Sequence, residues 1–148
     1  MVDADLLADL GRRLGHVFAD PGLVECALTH SSYANEHPPA TGNEGLALLG
    51  DAALALVVAE HLLRATPDAP VGVLTPARAA LVSGANLARW AAELGLGAAL
   101  RLGRGEEQTG GRTRESVLAT AFEALLGVLY LEGGLPAVHR VVARLALW

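Results

Sequence analysis

Apolar residues recur along this chain mostly at the three-to-four spacing of α-helices, and almost nowhere in the strict alternation of strands. Leu6, Leu10 and Leu14 fall one turn apart and predict a helix over Asp5 to Leu14. Asp20-Pro21 reads as an N-cap and first helical residue, opening a short helix to about Leu28. His30 to Gly42 carries Ser, Asn, Pro and Gly and reads as a loop. From Asn43 to about Arg64 the pattern is apolar on nearly every side, through Leu46, Leu48, Leu49, Leu54, Leu56, Val57 and Val58. A helix of this kind is expected to be buried all round, so it is either central or shared with a second subunit. Thr66 to Pro70 reads as a turn, and Leu74 to Val82 as a helix starting at Thr75-Pro76. Asn86 to Leu94 places Leu87, Trp90 and Leu94 on one side of another helix, and Gly95 to Gly111 reads as irregular. Arg112 to Leu131 is a second long apolar helix, with Val117, Leu118, Phe122, Leu125, Leu126 and Leu129, ended by Gly133-Gly134. Leu135 to Leu147 closes the chain. The pattern predicts an all-α fold of about seven helices without a strand, in one domain over residues 1–148.

Composition narrows the function classes. The 148 residues are 52% hydrophobic but only 4% aromatic. That excludes disorder and disfavours an all-β sandwich. The net charge is −5, and with no lysine all 11 basic residues are arginine. A basic footprint over the whole surface is excluded, so contact with a phosphate backbone would need a local Arg cluster or a metal. A single cysteine, Cys26, excludes an internal disulfide and a cysteine-based zinc site. The acidic start, Met1 to Asp5, is the reverse of a secretory signal. The most apolar run, Gly45 to Ala59, is interrupted by Asp51 and is shorter than the roughly 20 residues of a spanning helix. The expectation is a cytoplasmic protein with no membrane partner.

Two polar features interrupt the apolar helices. Asp51 lies in the middle of the first, with Glu44 seven residues earlier on roughly the same face. Glu123 lies in the middle of the second, eight residues after Glu115. A carboxylate inside an apolar helix is costly unless it is paired, hydrogen-bonded or bound to metal. Two arrangements account for it: a structural pairing with Arg or a cap, or Asp51 and Glu123 facing one another across a helix pair, as in bundle metal sites. Arg101, Arg104, Arg112 and Arg114 form a candidate phosphate-contacting group; the alternative is a solvated cluster balancing Glu106, Glu107 and Glu115. Cys26 reads as an apolar filler. His30 and His37 flank the loop before the first long helix, and His30, Glu44 and Asp51 are a candidate acid–base group if they converge. Gly103-x-Gly105 lacks the strand and third glycine of a nucleotide-binding loop.

The stretch Asn43-Glu44-Gly45-Leu46-Ala47-Leu48-Leu49-Gly50-Asp51 resembles the ribonuclease III signature, Asn-Glu-Arg-Leu-Glu-Phe-Leu-Gly-Asp. The flanks are similar too: Leu14 to Phe18, Ala27 to Ser32, Arg78 to Ser83, Leu102 to Glu106 with Gly110-Gly111, Arg114 to Ala119, and Glu123 to Gly127. The resemblance covers nearly the whole chain with the motifs in order. It implies an all-helical endonuclease domain that dimerises and cleaves double-stranded RNA with divalent metal. It also implies four metal-binding carboxylates, two on each long helix. These fall on Ala47 and Asp51 in the first and on Thr120 and Glu123 in the second, so two are replaced. Glu44 and Glu115 keep acidic residues at family positions, a further acidic position falls near Val71, and the signature's interface Phe is Leu48. The family's C-terminal RNA-binding domain is not expected, since the sequence ends at Trp148.

From these departures the expected function is a non-cleaving homodimeric module that binds double-stranded RNA, a ribonucleoprotein or a protein. Asp51 and Glu123, with Glu44, would form an impaired catalytic site. No cofactor would be required, or Mg²⁺ or Mn²⁺ would be held weakly by Asp51 and Glu123. Two alternatives stand beside it: a repurposed enzyme acting on a small molecule, and a weakly active metal-dependent endonuclease.

Overall fold

A computed structural model describes residues 2–145 of the chain. In chain order the helices are α1 (Ala4–Leu14), α2 (Pro21–Ala27), α3 (Ser31–Glu36), α4 (Glu44–Ala65), α5 (Val71–Leu81), α6 (Gly84–Glu93), α7 (Leu96–Ala99), α8 (Arg104–Gln108) and α9 (Glu115–Arg144). A 3-10 turn, Gly111–Thr113, leads into α9. Among the described residues the sole β-type pairing is an isolated bridge between Thr29 and Arg101.

Local chemistry starts α2 where the pattern predicts, whereas α6 opens at Gly84 rather than Asn86 and α9 at Glu115 rather than Arg112. The Asp20 carboxylate accepts from the Gly22 and Leu23 amides, and Pro21 supplies a first residue that needs no donor. Asp3 caps α1 through the Asp5 amide, and the Ser83 hydroxyl caps α6 through the Asn86 amide. The two expected C-terminal helices run on as α9, kinked at Gly134, whose φ of 66° is open to glycine. The expected end at Leu147 lies outside the described residues.

The core is built around α9, which buries Leu118, Phe122, Leu125, Leu126 and Leu129. Trp90 of α6 packs on Phe122 with ring centroids 5.6 Å apart, and Leu10 and Leu14 of α1 are also buried. The closest approach is between α4 and α9. A Cβ on Gly50 would lie 1.7 Å from the Glu123 carbonyl oxygen, and one on Gly127 would lie 2.2 Å from the Leu46 carbonyl oxygen. Backbone therefore meets backbone at two points, and neither glycine has room for a methyl group. Glu132, near the kink, ties α9 to the α1–α2 turn: its carboxylate accepts from the Ala19 and Asp20 amides, each at 2.9 Å, and lies 2.8 Å from His16 Nε2. Burial opposes this charge, but those amides and His16 hold the Glu132 pKa below the usual carboxylate range.

Four further expectations are corrected. The 30–42 segment contains α3, begun by His30, whose Nδ1 accepts from the Ser32 amide. Histidine is an unfamiliar cap, so the start signal was not legible. Gly95 to Gly111 likewise contains α7 and α8. The helix expected from Leu74 begins at Val71 and carries Pro76 inside it; α5 has no buried residue, so water can serve the carbonyl that Pro76 leaves without a donor. Finally, α4 is not buried all round: Leu48, Leu56 and Leu63 are 76%, 53% and 56% exposed. At 22 residues α4 is also longer than its uninterrupted apolar run, and both α4 and α9 have the length and apolar content of a membrane span. Each carries a mid-helix carboxylate and packs against the other, and α9 is mostly buried by its neighbours.

Gly50→Ala should cost at least about 3 kcal/mol, beyond ordinary overpacking because the obstacle is a backbone carbonyl. In thermal melts that is a fall of about 6 °C or more. Gly127→Ala should behave alike, and the double variant should lose less than the sum, because both substitutions part the same two helices. A Gly50→Ala protein melting within ~1 °C of the parent would contradict this packing.

Candidate functional site

The Gly50–Glu123 contact brings Asp51 beside Glu123, because each acid sits at or next to a point of closest approach. The two carboxyls are close enough to hydrogen-bond. Burial, then the Asp51 charge, then that hydrogen bond raise the Glu123 pKa to about 7. Asp51 is exposed and Glu123 half-buried, so the pair opens to solvent along one edge. Of the two arrangements left open by the sequence, the facing pair is the one that forms.

The remaining expected members lie around this pair without joining it. Ala47, one turn before Asp51, is 7% exposed and presents a methyl group. The Thr120 hydroxyl, one turn before Glu123, donates to the Ser116 carbonyl at 2.8 Å, within its own helix. Glu44 is exposed and acts electrostatically on His30, as does Arg114. Burial lowers the His30 pKa; Glu44 opposes the shift and Arg114 adds to it. The expected convergence thus divides: His30 and Glu44 are neighbours, whereas Asp51 belongs with Glu123. Among the described residues no group of three or more His, Cys, Asp or Glu side chains could hold a metal ion. Glu115, the first residue of α9, reaches the start of α6, with a carboxylate oxygen 3.2 Å from a Cβ placed on Gly84. Val71 opens α5 and is 73% exposed.

The arginine group also divides. The Arg112 guanidinium donates to the Gly97 and Leu100 carbonyls at 2.9 and 2.7 Å and pairs with Glu107. Arg114 pairs with Glu106 and donates to the Thr109 carbonyl at 2.8 Å. Arg101 pairs with Glu25 and lies over the Tyr33 ring. These three staple the glycine-rich segment, so the balancing role expected for Glu106 and Glu107 holds. Arg104 alone of the four is exposed with no side-chain hydrogen bond or ion pair among the described residues; its backbone amide donates to Glu36. Cys26 is half-buried, donates weakly to the Gly42 carbonyl at 3.5 Å, and is pushed up in pKa by burial. Sequence reasoning missed α3, whose Tyr33 and Glu36 anchor the 101–104 segment; the aromatic at Tyr33 was the available signal.

Residues 20–147 match the ribonuclease-III-like family model. The chain belongs to the ribonuclease-III-like family. It is 51% identical to ribonuclease 3 of Symbiobacterium thermophilum over 142 residues, which are 92% of this chain and 60% of that protein. It is 46% identical to ribonuclease 3 of Syntrophobacter fumaroxidans over 147 residues, covering 98% of this chain and 61% of the relative. The chain thus spans about three-fifths of the length of these curated relatives. The fold of the nuclease domain of ribonuclease III from Campylobacter jejuni superimposes with a TM-score of 0.87 at 36% identity, over 94% of each chain. The all-α ribonuclease III nuclease-domain fold is therefore the fold of this chain.

The raised Glu123 pKa has a consequence for stability. The folded chain holds a proton that the unfolded chain releases near pH 4.5, so stability falls as pH rises from about 4.5 to about 7 and is then level. Glu123→Gln, which mimics the protonated acid, should stabilise the protein at pH 8 in metal-free buffer. Allowing for the screening of a half-exposed group, the gain should be about 1–2 kcal/mol, or roughly 3–6 °C in a thermal melt. The gain should shrink to about a quarter by pH 5 and vanish below about pH 4. An equal gain at both pH values would rule out the shifted acid as its cause.

Proposed function

We propose that this ribonuclease-III-like chain is a dimerising RNA-binding module that does not cleave RNA by itself. The observation that carries the reading is the set of side chains around Asp51 and Glu123 where α4 crosses α9. Mg²⁺ takes about six oxygens in near-octahedral geometry, keeps several of them as water and is often anchored by one or two carboxylates, so two acids suffice for one weakly held hydrated ion but not for the fuller carboxylate set that the resemblance implies. The donor set here is Asp51 and Glu123, with Ala47 offering a methyl group and Thr120 committing its hydroxyl proton to Ser116. This set does not fit the four-carboxylate metal site that the family resemblance implies.

Dimerisation is supported by the apolar surface that α4 and α5 leave uncovered: Leu48, Leu56 and Leu63 with Val71 and Val73, each more than half exposed. The Campylobacter jejuni nuclease domain is described as having a region involved in dimer formation. Burying such side chains is worth about 1.5–3 kcal/mol each. RNA contact rests on Arg104 and on the family resemblance, and in an acidic chain it should weaken steeply with salt.

Restoration tests this reading. Incubated with a labelled RNA duplex and Mg²⁺ or Mn²⁺, the unmodified chain should leave the duplex intact. Ala47→Glu with Thr120→Asp should cut it, at least about 10-fold above background, since recovered ligands outweigh the supporting contacts whose loss costs that much. Asp51→Asn in the restored protein should abolish the gain. Vigorous metal-dependent cleavage by the unmodified chain, lost in Asp51→Asn, would overturn the proposal. In light scattering the chain should run at the mass of two copies and Leu48→Glu at one.

A further inference from the structure

The segment that sequence reasoning took for a loop carries an ordered stack of three side chains. The Arg101 guanidinium carbon lies 4.3 Å from the centroid of the Tyr33 ring. On the same ring, His37 stacks with centroids 4.0 Å apart and planes 11° from parallel. Two groups that close to one ring exclude each other from a single face, so Tyr33 is sandwiched between them. Both ends of the stack are pinned. Arg101 pairs with Glu25, and His37 Nδ1 is 3.1 Å from the Tyr33 carbonyl oxygen, one turn back. His37 is nonetheless exposed, and no other ring stacks on it among the described residues. An exposed imidazole held flat on Tyr33 is a preorganised platform, and a planar ligand landing on it need not order it first.

Of the four arginines between positions 101 and 114, the uncommitted one is tethered next to this platform through its backbone. The Arg104 amide donates to both Glu36 oxygens at 3.1 Å, and Glu36 precedes His37 directly. That link holds Arg104 close to the stack while its guanidinium stays exposed and unpaired among the described residues. A flat surface with a free cation at its side matches a nucleobase followed by its phosphate. Bases inside a duplex already have both faces covered by their neighbours. An unpaired base, in a bulge, loop or single-stranded flank, has a face to offer. We propose that His37 and Arg104 form a binding site for an unpaired RNA nucleotide, the base stacking on His37 and its phosphate meeting Arg104. The proposal rests on the RNA-binding reading above and adds the kind of RNA preferred: a strand with at least one unstacked base.

Fluorescence anisotropy with two labelled probes tests it, a 12-nucleotide single-stranded oligoadenylate and a blunt RNA duplex. His37→Ala should weaken oligoadenylate binding about 10-fold, the loss of one stacked base, and change blunt-duplex binding by less than ~2-fold. His37→Tyr should restore single-strand binding, which a purely electrostatic role for His37 would not allow. Arg104→Gln should weaken binding and reduce the salt slope by about one phosphate contact. A thermal melt checks that each variant folds. Single-strand binding unchanged in His37→Ala, or binding of the duplex but not of the single strand by the unmodified chain, would overturn this site and leave the RNA-binding reading standing. Binding of neither probe would overturn both.

Discussion

The contact between the backbones of α4 and α9 decides most of what this molecule is. Gly50 lies against the Glu123 carbonyl and Gly127 against the Leu46 carbonyl, with no space for a methyl group at either point. Two helices brought this close at two places have little freedom in register. Everything carried near the crossing is positioned by it: Asp51 beside Glu123, Ala47 and Thr120 one turn before each, and the apolar row of α9 turned toward α1 and α6. The rest of the fold then closes around α9, with Trp90 on Phe122 and Glu132 fastening the α1–α2 turn.

The same crossing sets the electrostatics of the pocket. It forces two acids together where burial already disfavours charge, and Glu123 answers by holding its proton to about pH 7. A site with more carboxylates would be more costly to leave without a cation. Ala47 and Thr120, one turn before the two acids, add no charge to that repulsion: one presents a methyl group and the other a hydroxyl turned into its own helix.

Charge elsewhere is spent on construction. Arg112 and Arg114 close the glycine-rich segment on its own carbonyls and on Glu107 and Glu106, and Arg101 bridges that segment to α2 through Glu25. Such pairs explain how a stretch with so many glycines keeps one shape. They also explain why four arginines close in sequence do not make a four-fold basic patch: three are occupied. What remains outward is Arg104 and the ring stack of α3.

Local patterns carried far in this protein. Helical periodicity, Asp20-Pro21, the glycines after Leu131 and the acids at positions 51 and 123 were all legible, because each acts within a turn or two of chain or breaks an otherwise apolar face. Other features depended on distant partners. A row of leucines on α4 looks the same whether its far side is covered or bare, so the exposure of Leu48, Leu56 and Leu63 was not legible. Nor could the four arginines be sorted, since their partners Glu25, Gly97 and Leu100 are joined to them only by folding. An all-helical chain with two long apolar helices, each carrying an acid near its middle, was readable from the sequence, since periodicity and residue identity are properties of the string. Tertiary structure alone decided which acids meet, which arginine stays free and which ring is left exposed, because those outcomes follow from how closely two glycines let two helices approach.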